Sequence, residues 1–266
     1  MLGEIGQQVV LIFIAVGSRI RKRINSFCKM LHLIVHLASI VNFAYAIYWE
    51  LWILDDPRSK PGSPRAFGGQ WKYLTFLNLW LQLFYFCISF LNSIFGSHST
   101  EAKSATTLQK IRDFLFSTLA FPIGQFVGFI FWGLFYINRE LVFPVALDKI
   151  FPNYINHMLH TTVIPLQLLE LVLLYHLYPR KKLGIATTFI FCAIYLTWTF
   201  IVAHFGGFWV YPIFKVLGPV QRIIFMLFCS MFGGLLYLLG EVLNNFVWSK
   251  YSHKNEDTGA IEQKNK

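Results

Sequence analysis

N-Y-I-N-H-M-L-H-T-T-V-I-P, residues 153–165, opens an apolar stretch yet carries two asparagines and two histidines. On a helix turning about 100° per residue, Asn153, Asn156, His157, His160 and the later Gln167 share an arc of roughly 100°. Leucine, isoleucine, valine and methionine occupy the other side. A mixed helix of this kind in water would need no comment. In lipid, a polar face is costly and must turn into a bundle or cavity, which makes it a candidate site.

The rest of the chain places the stretch in lipid. Of 266 residues, 18% are aromatic and only 14% charged, with a mean hydropathy of +0.53. A soluble domain carries about a quarter charged residues. Apolar runs long enough to cross a bilayer recur near residues 30–53, 72–95, 113–137, 154–178, 184–204 and 223–248. The expected fold is therefore an all-α integral membrane protein with six transmembrane helices. A Pro/Gly/Ser-rich connector over 55–70 and a polar one over 96–112 fit exposed loops.

The +10 net charge does not describe a nucleic-acid-binding face, because the basic residues flank the apolar runs in short clusters. Fifteen of the 23 Lys and Arg fall on one side: five before the first run, three in the second loop, three in the fourth and four in the tail. That excess places both termini in the cytosol. Residues 1–28 hold an apolar run too short to span, followed by Arg19, Arg21, Lys22 and Arg23, and read as an interfacial extension. Residues 249–266 read as a disordered cytosolic tail, leaving 29–248 as the membrane domain. Cys28, Cys87, Cys192 and Cys229 have neither disulfide nor metal spacing, and no glycosylation sequon occurs.

The second apolar run repeats the polar pattern: Thr75, Asn78, Gln82 and Ser89 share an arc of about 60°. Runs two and four are parallel in this topology. Thr75 to Gln82 is the same offset as His160 to Gln167, so Thr75 is expected opposite His160 and Gln82 opposite Gln167. A hydroxyl needs a base within hydrogen-bond reach to act as a nucleophile, and histidine is the natural partner. Asn156, one turn before His160, is the candidate orienting residue, and Asn78 or a helix start the candidate oxyanion donor. Thr75 packing between helices and His160 as a satisfied polar contact are the plain alternatives. Elsewhere, Glu170 and His176 are expected near the cytosolic interface, and His32 and His36 share a face with no carboxylate expected beside them. Arg139 and Glu140 read as an interfacial pair, Asp113 as a helix-start carboxylate, and Pro122 and Pro165 as kinks.

W-K-Y-L-T-F (71–76), L-A-F-P (119–122), N-H-M-L-H-T (156–161), W-V-Y-P (209–212) and Y-L-L-G-E-V-L-N (237–244) occur in this order. Together they resemble the androgen-induced gene 1 / androgen-dependent TFPI-regulating protein family over about residues 30–248. The resemblance implies a multi-pass threonine hydrolase that cleaves fatty acid esters of hydroxy fatty acids (FAHFA) without a cofactor or metal. It makes Thr75, in W-K-x-[LM]-T, the nucleophile and His160, the second histidine of N-H-x-x-H, the base. The partner is then a lipid ester drawn from the plasma membrane or an endomembrane, with no nucleic acid involved. Lys72 and Arg139 are candidates to meet its carboxylate at the outer interface. Two other readings remain: a metal-dependent lipid hydrolase or hydroxylase using His157 and His160, and a non-enzymatic regulator or small transporter.

Overall fold

The computed structural model describes residues 30–54 and 67–249. The N-terminal extension and the tail, apart from Ser249, lie outside the described residues. Every regular element among the described residues is helical. In chain order these are α1 (Met30–Ile53), α2 (Leu74–Phe95), α3 (Thr107–Leu141), α4 (Asn153–His160), α5 (Val163–Leu173), α6 (Lys181–Gly206) and α7 (Pro219–Val247).

Five of these, α1, α2, α3, α6 and α7, are long and apolar enough to cross a membrane, against the six expected. The difference lies in the fourth run. Residues 154–178 are two short helices, α4 and α5, separated at Thr161–Thr162 and followed by an extended segment. Pro165 has no N–H to offer the Thr161 carbonyl, so the helix breaks one turn before it. The break is held open by side chains: Trp132 Nε1 donates to Thr161 Oγ1 (3.1 Å), and Asn42 Nδ2 donates to Thr162 Oγ1 (3.0 Å). In the extended segment, the carboxamide of Asn244 brackets His176, accepting from its N–H and donating to its carbonyl, both at 3.0 Å. Buried backbone groups without helical partners are thereby satisfied.

α3 is the central helix. It relaxes into a wide turn at Phe116–Ala120, just before Pro122. The Thr118 carbonyl that Pro122 cannot serve accepts instead from Thr188 Oγ1 of α6 (2.7 Å). Gly124 and Gly128 form a G-x-x-x-G stripe on this helix, a spacing that lets backbones approach closely. A Cβ on Gly128 would lie 2.6 Å from Ile164 Cδ1 and 3.0 Å from the His160 carbonyl. A Cβ on Gly124 would lie 2.8 Å from both Gln82 Nε2 and Val163 Cγ2. The bare backbone of α3 thus sets how near α4 and α5 come to α2.

The surface reverses the usual distribution. Leu37, Val41, Phe84, Ile194, Ile223 and Leu227 are exposed, whereas Gln82, Gln167, Arg112 and Glu170 are fully buried. This is the arrangement of a helical bundle whose solvent is hydrocarbon.

Four sequence expectations fail at one end of the bundle. Glu170 does not reach an interface: its Oε1 accepts from Tyr85 Oη and Ser89 Oγ, both at 2.6 Å, and its Oε2 lies 2.8 Å from His36 Nε2. His36 therefore does have a carboxylate partner. His176 is buried too, with Nδ1 3.1 Å from Asp113 Oδ1 and its ring stacked on Phe116. Asp113 is no helix-start carboxylate, since α3 begins at Thr107, capped by Thr106, and Asp113 is buried in an ion pair with Arg112. On the other side, Arg139 pairs with Asp148 (2.5 Å) rather than Glu140, which instead accepts from the Val145 N–H (2.9 Å). An unpartnered buried charge is costly, and His36–Glu170 and His176–Asp113 meet from separate parts of the bundle.

Candidate active site

Thr75 is the second residue of α2. The approach to it is a left-handed Gly68 (φ 80°), a 3-10 turn over Gly69–Lys72 and an extended Tyr73. Two tyrosines fasten this entry. The Leu74 N–H, which has no helical acceptor, donates to both Tyr195 Oη and Tyr211 Oη at 3.0 Å. Tyr195 Oη in turn donates to the Lys72 carbonyl (3.1 Å), and Trp198 Nε1 to the Trp71 carbonyl (3.0 Å). The W-K-Y-L-T and W-V-Y-P segments, far apart in the chain, are thus one joint.

The faces of α2 and α4–α5 meet in the register their spacing predicts. Thr75 Oγ1 lies 3.2 Å from His160 Nε2. One level deeper, Gln167 Nε2 donates to Gln82 Oε1, and Gln82 Nε2 donates to Asn78 Oδ1 (2.9 Å) and the Ala120 carbonyl (2.8 Å). This amide ladder ties α2, α3 and α5 together below the threonine.

His160 is only 6% exposed and is fixed on three sides. Its Nδ1 lies 2.9 Å from Asn156 Oδ1 and 3.1 Å from the Asn156 carbonyl. A carbonyl can only accept, so Nδ1 carries the proton and Nε2 presents its lone pair to Thr75. Phe131 stacks on the ring with centroids 3.5 Å apart. His157, by contrast, is exposed, stacks on Trp132 and lies 2.9 Å from Thr161 Oγ1. The two histidines point to different surroundings and do not converge as ligands. Among the described residues, no group of three His, Cys, Asp or Glu is placed to hold a metal ion.

The other nominated residues lie apart from the Thr75–His160 pair. Asn78 is buried, its oxygen taken by Gln82 and its nitrogen without a partner. Lys72 is 1% exposed, with its ammonium over the Tyr73 and Phe208 rings at 5.1 and 5.7 Å. Arg139 is engaged with Asp148 and the Phe143 carbonyl.

Thr75 opens onto two cavities. One, of about 110 Å³, lies between α3, α6 and α7; the other, of about 100 Å³, reaches toward Glu50, Gln70 and the 143–151 segment. Sequence reasoning missed Phe131, Tyr195, Tyr211 and the glycine stripe. Only the G-x-x-x-G spacing left a readable signal; the aromatics are unremarkable in a chain this rich in them.

Comparison with known proteins agrees with the architecture. The model of the FAR-17a/AIG1-like protein family matches residues 31–245. Human androgen-induced gene 1 protein is 37% identical over 201 residues, covering 73% of this chain and 84% of its own length. The androgen-dependent TFPI-regulating protein of Mesocricetus auratus is 40% identical over 181 residues, covering 68% and 78%. A UPF0641 membrane protein of Schizosaccharomyces pombe is 22% identical over 230 residues, covering 85% and 93%. No solved structure matches the chain. With its apolar helices, buried polar groups and matching sequence over most of its length, this integral multi-pass membrane protein belongs to the FAR-17a/AIG1-like family.

Proposed function

We propose that the protein is a membrane hydrolase of lipid esters, FAHFA in particular, with Thr75 as nucleophile and His160 as general base. The observation that carries this reading is the 3.2 Å contact between Thr75 Oγ1 and His160 Nε2, with the imidazole tautomer set by Asn156. His160 Nε2 takes the hydroxyl proton as Oγ1 bonds to the ester carbonyl carbon. The same proton passes to the departing alkoxide as the C–O bond breaks, leaving an acyl-threonine and an alcohol. Water then gives a proton to Nε2 and its oxygen to the carbonyl carbon; the proton returns to Oγ1 and the acid departs.

The position of Thr75 at a helix start supports the oxyanion chemistry. The N–H groups of Thr75 and Phe76 belong to the first turn of α2 and have no carbonyl four residues back within the helix. They and the positive end of the helix are the donors assigned to the oxyanion, in preference to Asn78, which lines neither cavity. Residues 29–248 form the catalytic membrane domain. It crosses six times, with α4 and α5 together as the broken fourth crossing, and both termini are cytosolic.

Fluorophosphonate labelling and FAHFA turnover in membranes test the reading. Thr75→Ala and His160→Ala should each lose activity by at least about 10³-fold, with Thr75→Ser retaining labelling. Undiminished turnover in Thr75→Ala would overturn the assignment of the nucleophile.

A further inference from the structure

The two cavities share a waist formed by Thr75, Phe131, Val142 and Tyr211, but His160 lines only the smaller one. On the hydrolase reading, this asymmetry has a chemical consequence while Thr75 is being acylated. The imidazolium that has taken the Thr75 proton must hand it to the leaving oxygen. That oxygen must therefore stand on the side of Thr75 that His160 faces. The acyl chain, on the other substituent of the carbonyl carbon, extends away from it.

We propose that the two arms of the ester are sorted by this geometry, an inference that rests on the hydrolase reading. The acyl chain that becomes bonded to Thr75 lies in the larger cavity, between α3, α6 and α7. The departing hydroxy-acid arm lies in the smaller cavity, beside His160. The walls suit the division. The α3 residues lining the larger cavity run from Leu134 to Ile123, about 16 Å of helix at 1.5 Å per residue, and reach Cys192 and Ser230 on α6 and α7. That is an elongated apolar slot, which holds a saturated chain through both chemical steps.

The smaller cavity carries Gln70 and Glu50 among its lining residues along with Leu147 and Phe151. Once the alcohol has left, the vacated space is the only part of the site that His160 borders, and it has polar groups to hold water. The hydrolytic water therefore enters through the leaving-group cavity, and the acyl slot stays dry. Acyl length is then gauged by α3, α6 and α7, whereas the branch position of the hydroxy acid is gauged by the 143–151 segment.

The test uses the full-length protein in nanodiscs and two ester series, one varying the acyl chain on a fixed hydroxy acid and one varying the hydroxy acid on a fixed acyl chain. Cys192→Trp, and Ser230→Phe as a second obstruction should the first not fold, narrow the larger cavity. Leu147→Trp narrows the smaller one. The expected result is a fall of about tenfold or more in the long-to-short acyl ratio of kcat/KM for Cys192→Trp or Ser230→Phe, with the alcohol ratio held. Leu147→Trp should do the converse. An exchanged pattern, with turnover still dependent on Thr75, would overturn the orientation while leaving the hydrolase reading intact. Equal effects on both series, or none, would overturn the division into two arms. Turnover that survives Thr75→Ala would remove Thr75 as the nucleophile and the inference with it.

Discussion

Asn156 offers His160 two acceptors, a side-chain oxygen and a backbone carbonyl, and only one can be mutated away. Asn156→Ala should leave Nδ1 bonded to the carbonyl and lose one hydrogen bond worth about 1 kcal/mol. The expected cost is roughly five- to tenfold in kcat, against at least about 10³-fold for His160→Ala. A loss from Asn156→Ala as large as that from His160→Ala would mean the carboxamide does more than hold the ring. Much of this was legible in the sequence, because helical periodicity alone puts Asn156, His160 and Gln167 on one face and Thr75 and Gln82 on another. The pairing of His36 with Glu170 was not. The residues lie 134 positions apart, and nothing local says that a glutamate late in a span turns inward rather than toward the interface.

At the scale of elements, the glycine stripe of α3 governs whether the dyad can close. Gly128→Val should force Ile164 and the His160 carbonyl away from α3, costing about 1–3 kcal/mol in stability and separating His160 from Thr75. Thermal melts and turnover should fall together. The loop before α3 carries a pH effect. Burial, assisted by the nearby Arg112 guanidinium, pushes the pKa of His98 down to about 4, and its Nδ1 lies 3.1 Å from Arg112 Nη1. Protonation in the folded state is thus opposed. The stability that a neutral His98 contributes is complete above about pH 6.5 and is lost as pH falls toward 4. His98→Gln should flatten this acid dependence in melts measured between those limits. Here too sequence reasoning went only part of the way: Pro165 announces the break near Thr161, but a hydropathy window over 154–178 sees a continuous span. It cannot see that Leu174 onward is extended, with Asn244 from α7 serving its backbone.

For the molecule as a whole, the topology makes a prediction that does not depend on the chemistry. Single cysteines in an otherwise cysteine-free protein at Lys103 and Lys182 should be labelled by an impermeant reagent from the cytosolic side, and one at Asp148 from the opposite side. Labelling of Lys103 and Asp148 positions from the same face would refute six crossings. The buried polar cluster matters for how this bundle comes into being. His36 belongs to α1, Tyr85 and Ser89 to α2, and Glu170 to α5, so the first two helices leave the ribosome long before their carboxylate. Until it arrives they hold a histidine, a phenol and a hydroxyl with no ionic partner in lipid, and α5 in turn is a short helix with a glutamate that has little reason to enter the bilayer alone. Biosynthesis therefore has an appointed order: the early helices must wait, associated with one another or with the insertion machinery, to receive the late one. A defect at Glu170 should be read first as failed membrane insertion.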